Sequence, residues 1–177
     1  MTETNKISMK LRALEPEDLE ILYTLENDPE LWDTSESDAP YSKYILKQYI
    51  AEGNTLLSSG ELRLVIEIQN NESQRPIVVG FIDITNYTAQ SQRAQIGIAL
   101  LKKYRNKGYG TQALNLIERL TSNKLHIHTL YAYVSIKNIA SSKLFNKSGY
   151  TPIATLPEWF YYNKSYEDVY FFIKKID

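Results

Sequence analysis

The chain has no cysteine, which excludes a disulfide framework, a thiolate metal site and a thiol nucleophile. It is expected in a reducing compartment or one indifferent to redox. It also lacks an excess of either charge: 20 Lys and Arg face 21 Asp and Glu, a net −1 at pH 7. No global field is available to hold nucleic acid or an anionic membrane, so any anion site must be local. No run approaches the roughly 18 apolar residues of a spanning helix, and the opening MTETNKIS has no apolar core to follow. A soluble, cytoplasmic protein with no membrane or nucleic-acid partner is expected. What the chain does have is 43% hydrophobic and 23% charged residues over a length of 177. At about 150 residues per domain this reads as one globular domain, over 9–177, behind a flexible stretch at 1–8.

Met9 to Leu14 has strand character, and Pro16 suits the first turn of a helix whose core face is Leu19, Leu22, Tyr23 and Leu25. Asp28, Glu30, Asp33, Glu36 and Asp38 then form an acidic loop without Lys or Arg, interrupted by Trp32. Ser42 can cap a helix carrying Ile45, Leu46, Tyr49 and Ile50 up to Gly53. Three strand-like runs, Leu62 to Ile68, Ile77 to Tyr87 and Arg93 to Leu101, are joined by short turn-rich segments and predict an antiparallel meander. A basic, glycine-containing loop leads into a helix with Ala113, Leu116, Ile117 and Leu120 on one face. Strand Thr129 to Ile136 and a short helix ending at Gly149 follow, and the crossover implies some parallel pairing. Tyr150 to Ile176 predicts two more strands around WFYY. The expected fold is α/β: a mixed, mostly antiparallel sheet of six or seven strands flanked by helices.

The strongest local signal is IGIALLKKYRNKGYGTQALNLIERL, an apolar strand running into a loop with Lys102, Lys103, Arg105 and Lys107, then Gly108 and Gly110, then an amphipathic helix. Free N–H groups at a helix N-terminus lie at the positive end of its dipole, and glycines let a phosphate approach the main chain. An ordinary turn with solvated lysines would use the same residues. The chain lacks G-x-x-x-x-G-K-[ST]. It matches G-x-G-x-x-[GA] at Gly108 to Ala113, but has no acidic residue at the end of the next strand and too few parallel strands for a dinucleotide fold.

With its neighbours, this segment resembles the GCN5-related N-acetyltransferase (GNAT) superfamily, in its ribosomal-protein and spermidine acetyltransferase-like branch. Arg105-Asn106-Lys107-Gly108-Tyr109-Gly110 is similar to the family's Q/R-x-x-G-x-G/A loop. Ala94 to Leu101 resembles its bulged strand, and Asn138-Ile139-Ala140-Ser141 through Phe145 to Gly149-Tyr150 resembles the helix that closes over the thioester. The order of elements agrees from about residue 9 to 176. The resemblance implies direct transfer of an acetyl group from acetyl-CoA to a primary amine, in a GNAT-like fold, without a metal.

The same resemblance implies site residues. The coenzyme falls to the main chain at Ile98, Ala99 and Leu100, to Arg105, Asn106, Lys107, Gly108, Tyr109, Gly110 and Thr111, and to Asn138, Ser141 and Phe145. The Ile98 N–H is the implied oxyanion donor. Many relatives have glutamate where this chain has Gln95 and tyrosine where it has Phe145, so two proton-transfer groups are replaced. Ser141 is an alternative hydrogen-bond donor to the sulfur. Tyr131, Tyr133 and Tyr150 are further candidates, although among 14 tyrosines a packing role is the commoner one. Asp83 reads as an edge carboxylate, and His126 and His128 lack the acidic or cysteine partners of a metal site. Trp32, Asp33, Gln95, Tyr131 and Trp159 are candidates for the acceptor side.

A lysine-like amine, pKa about 10.4, is neutral in fewer than about one molecule in a thousand at pH 7, a cost of roughly 4 to 5 kcal/mol; an α-amine costs about 1 to 1.4 kcal/mol. A site without the usual base therefore favours a protein α-amine or another small amine, with polyamines the closest rival. A coenzyme A-binding protein with little catalysis is the alternative from another class. A monomer or homodimer is expected.

Overall fold

The structure, a computed structural model, describes residues 7–32, 40–53, 55–70, 75–162 and 164–176. Strand β1 (Ser8–Ala13) leads through a single turn at Pro16–Asp18 to helices α1 (Leu19–Glu26), α2 (Pro29–Trp32), α3 (Lys43–Glu52) and α4 (Leu56–Ser59). Strands β2 (Leu62–Gln69), β3 (Ile77–Thr88) and β4 (Arg93–Leu100) follow, then helix α5 (Tyr109–Leu120), strand β5 (Thr129–Ser135), helix α6 (Ile139–Lys147) and the hairpin β6 (Thr151–Tyr162) and β7 (Ser165–Lys175). Among the described residues the strands form one sheet of seven, in the order β1-β2-β3-β4-β5-β7-β6. Every joint is antiparallel except β4 to β5. The expected loose start is shorter than 1–8, because Ser8 already pairs with Gln69; residues 1–6 lie outside the described residues.

Alternate strand residues point to opposite faces, and this sheet buries both. Ile82, Ile84 and Ile96 pack toward Ala113, Leu114 and Ile117 of α5, whereas Val65 and Phe81 face Leu22, Leu25 and Leu46 of α1 and α3. The α5 stripe includes Leu114, fully buried, where Leu116 was expected. On α3, Ile45 is exposed and Leu46 carries the contact. Gly80 lets β3 and β4 close up: a Cβ there would stand 2.1 Å from the Ala99 carbonyl oxygen.

Arg12 ties β1 to its neighbours, with two bonds to Asp18 at 2.7 and 2.8 Å and one to Glu67 at 2.8 Å. Burial pushes the Asp18 carboxyl up, but bonds from Arg12 and the Glu15 amide outweigh it and hold it below its ordinary value. Glu67 is lowered in the same way, by Lys10 and Arg12 against burial. A carboxyl depressed by folding adds stability above its unfolded pKa, about 4, and loses it as pH falls through the folded value. Arg12→Gln is therefore expected to destabilise the protein by about 1 to 3 kcal/mol at neutral pH. The difference should shrink as pH falls through the lowered folded-state values and the carboxyls are protonated in both proteins. Thermal melts across pH check this, and a gap independent of pH would contradict it.

Candidate active site

The parallel joint is the weak seam of the sheet. Strands β4 and β5 pair only at Arg93–Thr129, Ala94–Leu130 and Gln95–Tyr131, while the β3–β4 register continues to Gly80–Leu100. From Ile96 onward β4 has no strand on its β5 side among the described residues. The Ala99 carbonyl faces β3, and the Leu100 carbonyl faces away, accepting a bond from Arg105 Nε at 2.9 Å. Main-chain polar groups alternate sides along an extended strand, so those of Ile98 point with those of Leu100 into the gap.

A cleft of about 660 Å³ opens in that gap. Its β4 wall is Ile98, Ala99 and Leu100, and its loop wall is Arg105, Asn106, Gly108, Gly110 and Thr111. Asn138 and Ser141 of the α6 turn stand across it. Three residues expected to touch coenzyme do not line it. Lys107 and Tyr109 instead pack on Tyr104, Lys107 Nζ at 5.7 Å from the ring centre and the Tyr109 ring edge-on at 6.3 Å. Phe145 is buried, stacked on Phe172 at 5.9 Å and edge-on to Tyr150 at 5.1 Å. Tyr150 is buried with it, so neither stands at the cleft surface. Burial, reinforced by Glu118, raises the Tyr150 phenol above its ordinary value.

Helices α3, α4 and α6 begin with side-chain caps from Ser42, Thr55 and Asn138 at 3.2, 3.3 and 3.0 Å. Helix α5 has none. Gly108 precedes it with φ 81°, a conformation glycine adopts without strain, which leaves the first-turn N–H groups free at the positive end of the dipole. Gly110 serves a different need: a Cβ there would be 3.1 Å from both methyls of Leu144, so the glycine lets α6 approach α5. Beside the loop, Arg105 Nη2 is shut off from solvent without a hydrogen-bond partner among the described residues, Asp28 being 3.9 Å away. A buried guanidinium donor, free helix-terminal amides and a glycine approach together fit a pyrophosphate.

Several lining residues were not among those the sequence assigned to the coenzyme. Glu30 of α2 bonds Lys102 at 2.6 Å and Arg105 at 3.4 Å, so two acids of the expected acidic loop meet the basic loop. Glu167 of β7 accepts from the Ser135 hydroxyl at 2.8 Å and from Lys137. The Lys137 and Ser135 bonds hold its carboxyl below the ordinary range. Lys143 and Lys147, one turn apart on α6, also line the cleft.

Of the acceptor-side candidates, Gln95, Tyr131 and Trp159 lie on the sheet face away from α5. Ala94, Ile96 and Leu130 pack toward α5, so Gln95, Tyr131 and Tyr133 face the α1 side. The Gln95 amide is bonded to Asn86 at 2.9 Å. Tyr133 stacks between Trp159 at 5.4 Å and Phe171 at 5.1 Å, with Tyr131 edge-on at 5.7 Å, and Trp159 is half exposed. Burial, helped by Tyr133, raises the Tyr131 phenol above its ordinary value. Asp83, opposite Gly97 in the ladder, is no free edge carboxylate: Arg63 grips it at 2.7 and 2.9 Å and also bonds Glu26. The Trp32 side chain and Asp33 lie outside the described residues.

The GNAT acetyltransferase domain model matches residues 8–151. Spermidine N(1)-acetyltransferase of Escherichia coli K12 is 24% identical over 164 residues, covering 91% of this chain and 82% of that protein. The structure of spermidine N-acetyltransferase from Vibrio cholerae in complex with CoA and spermine superposes with TM-score 0.80 at 22% identity, over 95% of each chain. A second structure of that enzyme, a dodecamer in an intermediate state, gives TM-score 0.76 at 23% identity over 94% of this chain and 93% of that one. The matched domain, over residues 8–151, shows that the chain belongs to the GNAT family and is an acetyl-CoA-dependent N-acetyltransferase.

Proposed function

We propose that the acceptor is a small polycationic amine of the spermidine kind and that the cleft residues act as follows. The observation that carries the acceptor class is the Glu26–Arg63–Asp83 cluster beside Gly97, two carboxylates on one guanidinium. Its net negative charge, on the sheet face that also carries the Tyr133–Trp159 stack, suits an alkylammonium chain. The relatives named for spermidine support the same class. A specific observation favours a second reading, the α-amine. Gln95, where a base is usual, is an amide bonded to another amide, and an α-amine needs less help to shed its proton.

Acetyl-CoA supplies the acetyl thioester. The Gly108 to Thr111 amides and Arg105 hold the pyrophosphate, and Asn138 caps α6 where it lines the cleft. The Ile98 N–H, aimed into the gap, stabilises negative charge developing on the acetyl oxygen. Ser141 offers a hydroxyl, with its own N–H already satisfied by Asn138, to the leaving sulfur. Ser141→Ala is expected to lower kcat about 10- to 100-fold with little change in KM for acetyl-CoA. An equal loss in coenzyme affinity would contradict that role.

Glu30 acts in the opposite sense, as an internal anion on the cations that meet phosphate. Glu30→Gln should tighten coenzyme binding about threefold at low salt and less at high salt; calorimetry would show weaker or unchanged binding if this were wrong. The acceptor is tested by released thiol with spermidine, lysine-containing peptides and peptides offering only an α-amine. Turnover confined to the α-amine peptides would overturn the polycation reading.

A further inference from the structure

We infer that Lys143 and Lys147 bind the ribose 3′-phosphate of coenzyme A and make this enzyme selective for coenzymes that carry it; the inference rests on the cleft being the coenzyme site. The other cations around the cleft have partners. Lys102 and Arg105 face Glu30, Lys137 pairs with Glu167, and Lys103 and Lys107 sit over the Tyr104 ring. Among the described residues Lys143 and Lys147 have no ion-pair partner, yet both line the cleft.

Their position follows from packing. Leu144 lies against Gly110, where a Cβ would be 3.1 Å from its methyls. The turn of α6 that carries both lysines is thereby held beside the open N-terminus of α5. Like charges four residues apart on a helix repel. Lys147 is in the last turn of α6, where the helix dipole favours a cation, but Lys143 has no such compensation. A dianion shared by the two ammonium groups removes the repulsion. Coenzyme A carries phosphate at two places, and the α5 amides and Arg105 answer one of them. The lysine pair answers the other.

The test is calorimetric titration of the whole protein with coenzyme A and with 3′-dephospho-coenzyme A, using wild type and Lys143→Gln/Lys147→Gln. Both substitutions are at exposed positions, and thermal melts confirm that the variant folds. Wild type is expected to prefer coenzyme A by about 10-fold or more at low salt, and less as salt rises. In the variant the preference should fall to about twofold or less, with affinity for the dephospho form changed by less than about twofold. An unchanged preference in the variant overturns the inference, as does equal weakening of both ligands, which would assign the lysines to the pyrophosphate. If wild type binds both ligands equally, the inference fails while the coenzyme cleft stands. If wild type binds neither, the cleft reading fails as well.

Discussion

Gly108→Asp is expected to weaken coenzyme A binding at least about 100-fold, some 2.7 kcal/mol or more, in a protein that still folds. Gly108 has φ 81°, and no atom lies within 4 Å of the place its Cβ would take, so the side chain meets strain but no clash. Aspartate is among the residues that tolerate this conformation best. The cost of folding should therefore be modest, and thermal melts would show it. The cost to the coenzyme is larger, because the carboxylate enters the space before the α5 amides and opposes the charge they attract. Calorimetry on folded variant separates the two effects. Affinity within about threefold of wild type would place the phosphates elsewhere.

The largest expected loss of stability is at Arg63. Its guanidinium grips Asp83, bonds Glu26 and lies 5.6 Å from the Tyr49 ring centre and 6.0 Å from that of Phe81. Burial works against its charge, and the two carboxylates overcome that and raise its pKa. Arg63→Leu would remove the guanidinium that the two partly buried carboxylates share, which costs about 3 kcal/mol, or roughly 6 to 12 °C in melting temperature for a chain of this size. Arg63→Leu/Asp83→Leu should recover part of the loss by removing one unpaired charge. A single-variant loss under about 1 kcal/mol would mean the cluster is solvated like a surface pair.

Local chemistry explains what could be read in the chain. Ser42 and Asn138 cap their helices as their residue types predict, and Gly108 adopts the positive φ that its place before a helix invites. The parallel joint was legible because only a crossover helix fits between Leu101 and Thr129. Long-range partners were not legible. Glu30 meets Lys102 and Arg105 from 72 and 75 residues away, so an acidic run that reads as free field is partly neutralised by the basic loop. Glu167 reaches the cleft only because β7 lies beside β5. Phe145 shows the limit of transferring a position: it sits four residues after Ser141, yet Phe172 and Tyr150 draw its ring into the core. Lys143 and Lys147 have the spacing of a helix face, but exposed lysines at that spacing usually mean a solvated one.

The central claim is that coenzyme A occupies the gap between β4 and β5. Amide hydrogen exchange with and without coenzyme A tests it most directly. Protection gained at Ile98 and Leu100, at Tyr109 to Thr111 and at the start of α6, with the β1–β2 edge unchanged, is the predicted result. Saturating coenzyme A that leaves those amides exchanging as before, or protects a different part of the sheet, would contradict it.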